Sequence, residues 1–439
     1  MKNDTTQENP PCQEQLQQYR AKRHEVDLSI EVVLLVVGGL FFLLFGALLF
    51  MIDRGMLPYS EGSMYGLFVI LVSMQIITMG KTPFGDLLRS WLVVMIGLFT
   101  AMLGTLAIFY PGYLAVTIRV LAGLIVLVTG VLGLLQLFTA KDKARVWIKV
   151  PGILQQLTIA CILVYGIEMM LGIITLLPGI IPNLLTAILC LIFGVSLLFL
   201  AWCIHMVHRQ YPLGDGKEAP ITPPSTNGFC LLKEASLTMG NTFNAYQGVL
   251  MILLGFLVLF ITLGIFPSFN SDGQIGLLLV LTSLQLLALG QFVGSQVTRS
   301  WLVVSFGLLC ASAGIFSCIV PGILAGLIQP LLGLQNILTG VLLLGTQIIA
   351  PTLYGIRHPP AEPVVLPPII KRLFLVLAIT GIVTILFGIN TIAPVLLPNL
   401  LGMIAYAVLI PLLIITMGLL TLITISVTQR LQQGAETAP

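Results

Sequence analysis

The chain has 439 residues, of which 57% are hydrophobic and 8% charged, and its net charge is +3. Soluble globular domains carry about 25% charged residues, so most helices here cannot present a face to water. That excludes a soluble enzyme or a nucleic-acid-binding domain and makes a lipid bilayer the implied solvent. Seven cysteines without a C-x-x-C pair give no disulfide framework.

Residues 1–27 are polar and lack a secretory signal pattern, so the apolar stretch 30–51 is expected to remain as a membrane span. A membrane helix needs about 20 mostly apolar residues. Twelve such segments follow in chain order. The first six lie near 29–52, 63–80, 91–110, 113–139, 153–177 and 182–206. The second six lie near 246–266, 274–294, 301–320, 322–349, 370–392 and 399–427. Gaps at 110–112, 178–182, 320–322 and 394–398 hold Pro and Gly, which end one helix and start the next within a few residues. The expected fold class is an all-α membrane protein.

Lys and Arg resist translocation and so report direction. The odd-numbered loops contain one basic residue, Arg54; the termini and even-numbered loops contain eighteen, and Arg119 lies inside a span. Trp91, Trp147, Trp202 and Trp301 all fall near the basic side, as interfacial anchors. Both termini are therefore expected in the cytoplasm.

The second half repeats the first. Residues 71–134 align without a gap onto 281–344, a shift of 210, with 27 of 64 positions identical; RSWLVV begins at Arg89 and again at Arg299. Six spans per half point both halves the same way, as parallel repeats about a pseudo-twofold axis along the membrane normal. The expected organisation is a polar cytoplasmic segment 1–27, a six-helix repeat 28–208, a cytoplasmic linker 209–243, a second repeat 244–428 and a tail 429–439.

A finer period runs inside each half. Gly97, Gly104 and Pro111 are spaced by seven, as are Gly307, Gly314 and Pro321; Gly123 and Gly130 follow in one half, Gly333 and Gly340 in the other. The fifth spans carry Gly166, Gly172, Pro178 and Gly381, Gly388, Pro394. Glycines seven apart share a helix face and let two backbones approach in lipid. The expected unit is a glycine-seamed hairpin turned at Pro on the outer side, three to a half. This pattern, strongest over 91–134 and 301–344, resembles the HdeD-like family of small bacterial membrane proteins. The resemblance implies a six-span unit, here in tandem, and a role in acid-stress resistance without chemical activity. It carries over no functional residues.

Arg119 and Glu168 are the charges placed deep inside spans. Counted from Pro111 and Pro178 they lie roughly 12 and 15 Å below the outer turns, which would let them meet. Their equivalents in the second half are Gln329 and, at a local shift of 216, Thr384. Such a pair is either a polar pathway or a structural ion pair setting helix register. Gln329 and Asn336, with Gly333 and Gly340, form a polar stripe that could line a solute path or hydrogen-bond between helices. Ser73 and Gln75, repeated as Ser283 and Gln285, suit interhelical bonds. His205 and His208 near Cys203 lack a further ligand for metal. No nucleotide, zinc-protease or haem motif occurs, so no catalytic residue, cofactor or metal is expected.

Three functions remain open. The first is a non-enzymatic HdeD-like membrane protein in envelope or acid-stress tolerance. The second is a secondary transporter or channel for a small solute between the repeats, and the third a structural or accessory subunit of a membrane complex. The expected partners are the lipid bilayer and a second copy or complex partner, with no nucleic acid.

Overall fold

The computed structural model describes residues 28–79, 81–82, 85–86, 91–139, 147–149, 151–210, 239–267, 271–288, 300–357, 368–393 and 403–436. The N-terminal segment with Cys12, Cys230 of the linker, the basic loop at 141–145 and the turn at 394–398 lie outside the described residues.

The first six helices are α1 (Ile30–Asp53), α2 (Glu61–Met79), α3 (Trp91–Phe109), α4 (Pro111–Thr139), α5 (Ile153–Leu176) and α6 (Asn183–Gln210). The second six are α7 (Met239–Thr262), α8 (Ser271–Ala288), α9 (Trp301–Ile319), α10 (Ala325–Leu344), α11 (Pro368–Ile392) and α12 (Met403–Glu436). A π-helical turn, Gly345–Ile349, extends α10 into a further helical segment, Ala350–Arg357. Between α2 and α3, β1 (Lys81–Thr82) and β2 (Gly85–Asp86) form a two-residue antiparallel ladder. All twelve expected spans are present as helices long and apolar enough to cross a membrane.

Two boundaries differ from the sequence reading. Helix α7 begins at Met239, inside the expected linker, because Asn241, Thr242, Asn244 and Gln247 are buried against protein. Hydropathy scores Asn241 and Thr242 as linker, yet a polar helical turn is stable wherever other helices cover it. Helix α12 runs on to Glu436, into the expected tail.

Glycine decides which helices touch. A Cβ on Gly104 would lie 2.7 Å from the Gly66 carbonyl oxygen, and one on Gly66 2.5 Å from that of Gly104. This joins α2 to α3 with backbones in contact, and Gly97 faces Ile77 of α2 on the same seam. Gly123 and Gly130 of α4 meet Leu176 and Met169 of α5, while Gly172 of α5 meets Leu127. Gly39 and Gly194 join α1 to α6.

The second half makes the same three unions. Gly276 and Gly314 join α8 to α9, with Gly307 facing Leu287; Gly333 and Gly340 of α10 meet Gly388 and Gly381 of α11; Gly248 and Gly418 join α7 to α12.

The three expected hairpins per half are therefore corrected. The seams do not run between the helices joined at Pro111 or Pro321. A seven-residue spacing defines one narrow face, and that face docks where another backbone comes close at the same depth. Gly66 and Gly172 supply such backbones on α2 and α5, so α3 and α4 turn their seams away from each other. The turns pack differently: Gly62 lies against Pro111, and Asp272 at the start of α8 accepts a hydrogen bond from the Gly322 amide at 2.6 Å. Gly322 has φ +92°, which favours glycine.

The halves meet through their first three helices. Helix α1 touches α9 as α7 touches α3; α2 touches α7 as α8 touches α1; and α2 touches α9 as α8 touches α3. Every one of these contacts has its counterpart in the other half. Helices α2 and α8 are the most enclosed, with 72% of each span buried, against 28% for α11. Outward faces are apolar, as lipid requires: Tyr113 and Leu302 are 78% and 82% exposed.

We expect Gly104→Ala to lower thermal stability in detergent by about 1–3 kcal/mol through overpacking. Gly166→Ala should be neutral or better, because nothing lies within 4 Å of its Cβ position. Equal melting shifts for the two would contradict the seam.

Candidate functional site

Both halves bury polar side chains in the described helices, but the ion pair and the carboxyl of Glu168 lie in the first. Arg119 does not meet Glu168. Its Nη1 lies 3.1 Å from Glu61 Oε1, at the first residue of α2. The expected pair is corrected by the α4–α5 register. Gly123 faces Leu176, Leu127 faces Gly172 and Gly130 faces Met169, which sets Glu168 level with residue 131 and Arg119 level with residue 180. Twelve residues separate those levels, about 18 Å at 1.5 Å per residue. Counting depth from Pro111 and Pro178 assumed the two turns were level, and they are not. Arg119 sits abreast of the turn after α5, and its side chain extends toward the N-terminus of α4 as helical side chains do.

Glu61 was missed because it opens a span two residues before the expected boundary and reads as a loop acid. The signal was available: at the shift of 210 Glu61 aligns with Ser271, just as Arg119 aligns with Gln329. Both members of the observed pair are thus neutral in the second half.

Around this pair stand Tyr59 and Tyr65. Tyr59 is 37% exposed; partial desolvation, with Tyr65 and Glu61 adding to it and Arg119 opposing, shifts its hydroxyl above the ordinary range. The Tyr65 hydroxyl lies beside Thr175 in the last turn of α5. Below this layer, Glu168 Oε1 lies 2.6 Å from Thr129 Oγ1 of α4.

Cys161, Glu168 and Thr175 are spaced by seven and share one face of α5. Leu157, Cys161 and Val164 on that side are buried, whereas Ile159, Leu163, Met170 and Ile173 on the other are more than 40% exposed. Glu168 therefore points into the helix bundle and away from lipid. Tyr165, one turn below, lies within electrostatic reach of both Glu168 and Cys161.

The second half lacks these groups. Thr384 replaces Glu168 and Gly381 replaces Tyr165 at the shift of 216, while Ile275 replaces Tyr65 at 210. Gln329 reaches the Thr391 carbonyl of α11 at 3.3 Å, and Asn336 bonds the Leu332 carbonyl of its own helix at 2.8 Å. The polar stripe is thus spent on helix bonding.

Its buried neighbour Gln335 was not singled out from sequence. Gln335 meets Ser283 of α8 at 3.2 Å, and Gln247 of α7 donates to the Leu281 carbonyl two residues away. Both glutamines are wholly buried. At the junction of the halves Ser73 Oγ lies 2.6 Å from Tyr246 Oη, and Tyr246 donates to the Ile70 carbonyl at 2.8 Å. The Ser60 amide donates to the Ile319 carbonyl at 3.1 Å. Otherwise the junction helices carry apolar side chains that are fully buried, among them Leu67, Ile70 and Met74 of α2, Leu281 and Leu284 of α8, and Ile315 of α9. Gln329, Asn336 and Arg119 lie on α10 and α4, outside this junction.

Cys203 is buried, and among the described residues no three of His, Cys, Asp or Glu are grouped as for a metal. The residues present thus define an all-helical, multi-pass integral membrane protein whose described ion pair lies in the first half. No family model matches the chain, and no match is found among curated proteins or solved structures.

The side chains of Arg119 and Glu61 are 23% and 38% exposed, so their coupling should be no more than about 1 kcal/mol. In a double-mutant cycle, Arg119→Gln with Glu61→Ser should recover most of the folded yield lost by Arg119→Gln alone. Arg119→Gln with Glu168→Thr should not.

Proposed function

We propose that this chain is a non-enzymatic protein of a bacterial or archaeal cytoplasmic membrane, a tandem of two six-helix units of the HdeD-like kind. It acts in envelope or acid-stress tolerance, and the first unit carries the specific function. Both termini lie in the cytoplasm, and the units are related by a pseudo-twofold axis along the membrane normal. The reciprocal contacts of α1–α3 with α7–α9 support that symmetry.

The observation that carries the reading is the difference between the units. Glu61, Tyr65, Arg119 and Glu168 stand in the first, from the half-buried Arg119–Glu61 pair at one end inward to Glu168, and Ser271, Ile275, Gln329 and Thr384 take their places in the second. Ionisable residues in a bilayer are expensive and are kept where they act. The second unit keeps the packing glycines and none of these charges, which suits a scaffold. A solute path between the units has little support, because the helices that form the junction are packed with fully buried Leu, Ile and Met.

Cells of an acid-sensitive bacterial host that produce the chain should survive an acid challenge better than cells without it. The protection should disappear when Glu61→Ser, Arg119→Gln and Glu168→Thr are combined. Equal survival with and without the protein would sink the stress role. Impermeant thiol reagents should label Cys12 and Cys230 only in opened cells; labelling of Cys230 in intact cells would reverse the orientation.

A further inference from the structure

We propose that Glu168 is a proton-binding site inside the first six-helix unit, loaded from the outer face past Tyr65 and Thr175. The inference rests on the reading of that unit as the functional half and assigns the chemistry it handles.

A threonine in a helix has one hydroxyl proton and usually donates it to the carbonyl four residues back. Thr175 does so to Leu171 at 2.8 Å, Thr339 to Gln335 at 2.8 Å and Thr384 to Thr380 at 2.8 Å. Thr129 keeps the same bond, to Ile125 at 2.8 Å, yet also lies 2.6 Å from Glu168 Oε1. Thr129 has one proton for two acceptors: it donates either to Glu168 Oε1 or to the Ile125 carbonyl, and both contacts are made at once only when the carboxyl carries a proton of its own. The second unit gives the control. Thr339 stands at the Thr129 position, Thr384 at the Glu168 position, and both hydroxyls serve only their own helices.

The surroundings fit a proton better than a larger cation. From α4 the carboxyl meets Thr129. From its own helix it has Tyr165 within electrostatic reach. Helix α6, packed on α5, carries Cys190, which is within electrostatic reach of Tyr65, and Cys203, which is within reach of Cys161. The one salt bridge among the described residues, Arg119–Glu61, lies about 18 Å away along the bundle, so no cation offsets a carboxylate here. A metal ion would need several oxygen ligands, and the described neighbours offer one hydroxyl.

The outer route follows from the face that Glu168 occupies. Thr175 lies seven residues toward the outer end on the same face, about 10 Å away, with the Tyr65 hydroxyl beside it. Above them are Tyr59 and the partly exposed Glu61 and Arg119. Toward the cytoplasm the same face continues into buried Cys161 and Leu157.

The test uses dicyclohexylcarbodiimide on the full-length protein in right-side-out membrane vesicles. The carboxyl proton passes to a carbodiimide nitrogen as the carboxyl oxygen bonds the central carbon, so only a protonated carboxyl reacts. Peptide mass spectrometry should find the adduct on Glu168 and none on Glu61. Its yield should fall as the outer pH is raised and stay constant when only the inner pH changes. Glu168→Gln should abolish it. The wild-type measurement stands by itself if that variant does not fold. Absence of adduct at Glu168, or a yield that follows the inner pH, would overturn the proposal. The acid-survival role fails separately: an adduct without protection leaves the proton site and removes the stress function, and protection without an adduct does the reverse.

Discussion

Close approach of backbones is the constraint on which this structure depends. In lipid the hydrophobic effect gives no net drive for one apolar helix to touch another, and association falls to van der Waals packing and polar contacts. Glycine removes the side chain that would hold two helices apart. At Gly66 and Gly104, and again at Gly276 and Gly314, each residue lies over the other's carbonyl oxygen, close enough for Cα–H···O contacts. These unions fix which helices are neighbours, and the neighbours decide where every polar group points. Glu168 is turned inward because Gly172, four residues on, is pressed against Leu127 of α4.

Polar side chains then complete what glycine begins. Ser73 and Tyr246 tie the halves among fully buried Leu, Ile and Met, and Gln247 and Gln335 converge on α8 from α7 and α10. A buried bond of this kind adds little net stability in a membrane but penalises any register that leaves it unmade. The first turns of α7 show the same economy, with Asn241 and Asn244 covered by protein where lipid could not hold them.

Twelve helices, their tight turns and the importance of the seam glycines could be read from residue order alone, since length, hydropathy and a seven-residue spacing are local properties. Partner choice could not. Gly97 and Gly104 announce a face, yet nothing near them in the chain says that α2 fills it and α4 does not. The Arg119 partner was missed for the same reason: relative depth depends on how far α4 slides along α5, and the register of Gly123 on Leu176 is a three-dimensional fact. The disagreement between the halves at Arg119 and Gln329 was visible, and so was the matching one at Glu61 and Ser271. Only the Arg119–Glu61 contact links the two. Gln335, beside the singled-out Asn336, stayed hidden because burial of an amide leaves no mark on hydropathy.

The Ser73–Tyr246 bond has no twin. Position 283 is also serine, but the seam-aligned counterpart of Tyr246 is Val37, which has no hydroxyl, and Ser283 turns to Gln335 instead. Two copies of the first unit placed face to face would each offer a serine with nothing opposite. The two six-helix halves are thus unlike where they meet, each carrying the group that the other lacks, and a single polypeptide holds one of each in every molecule.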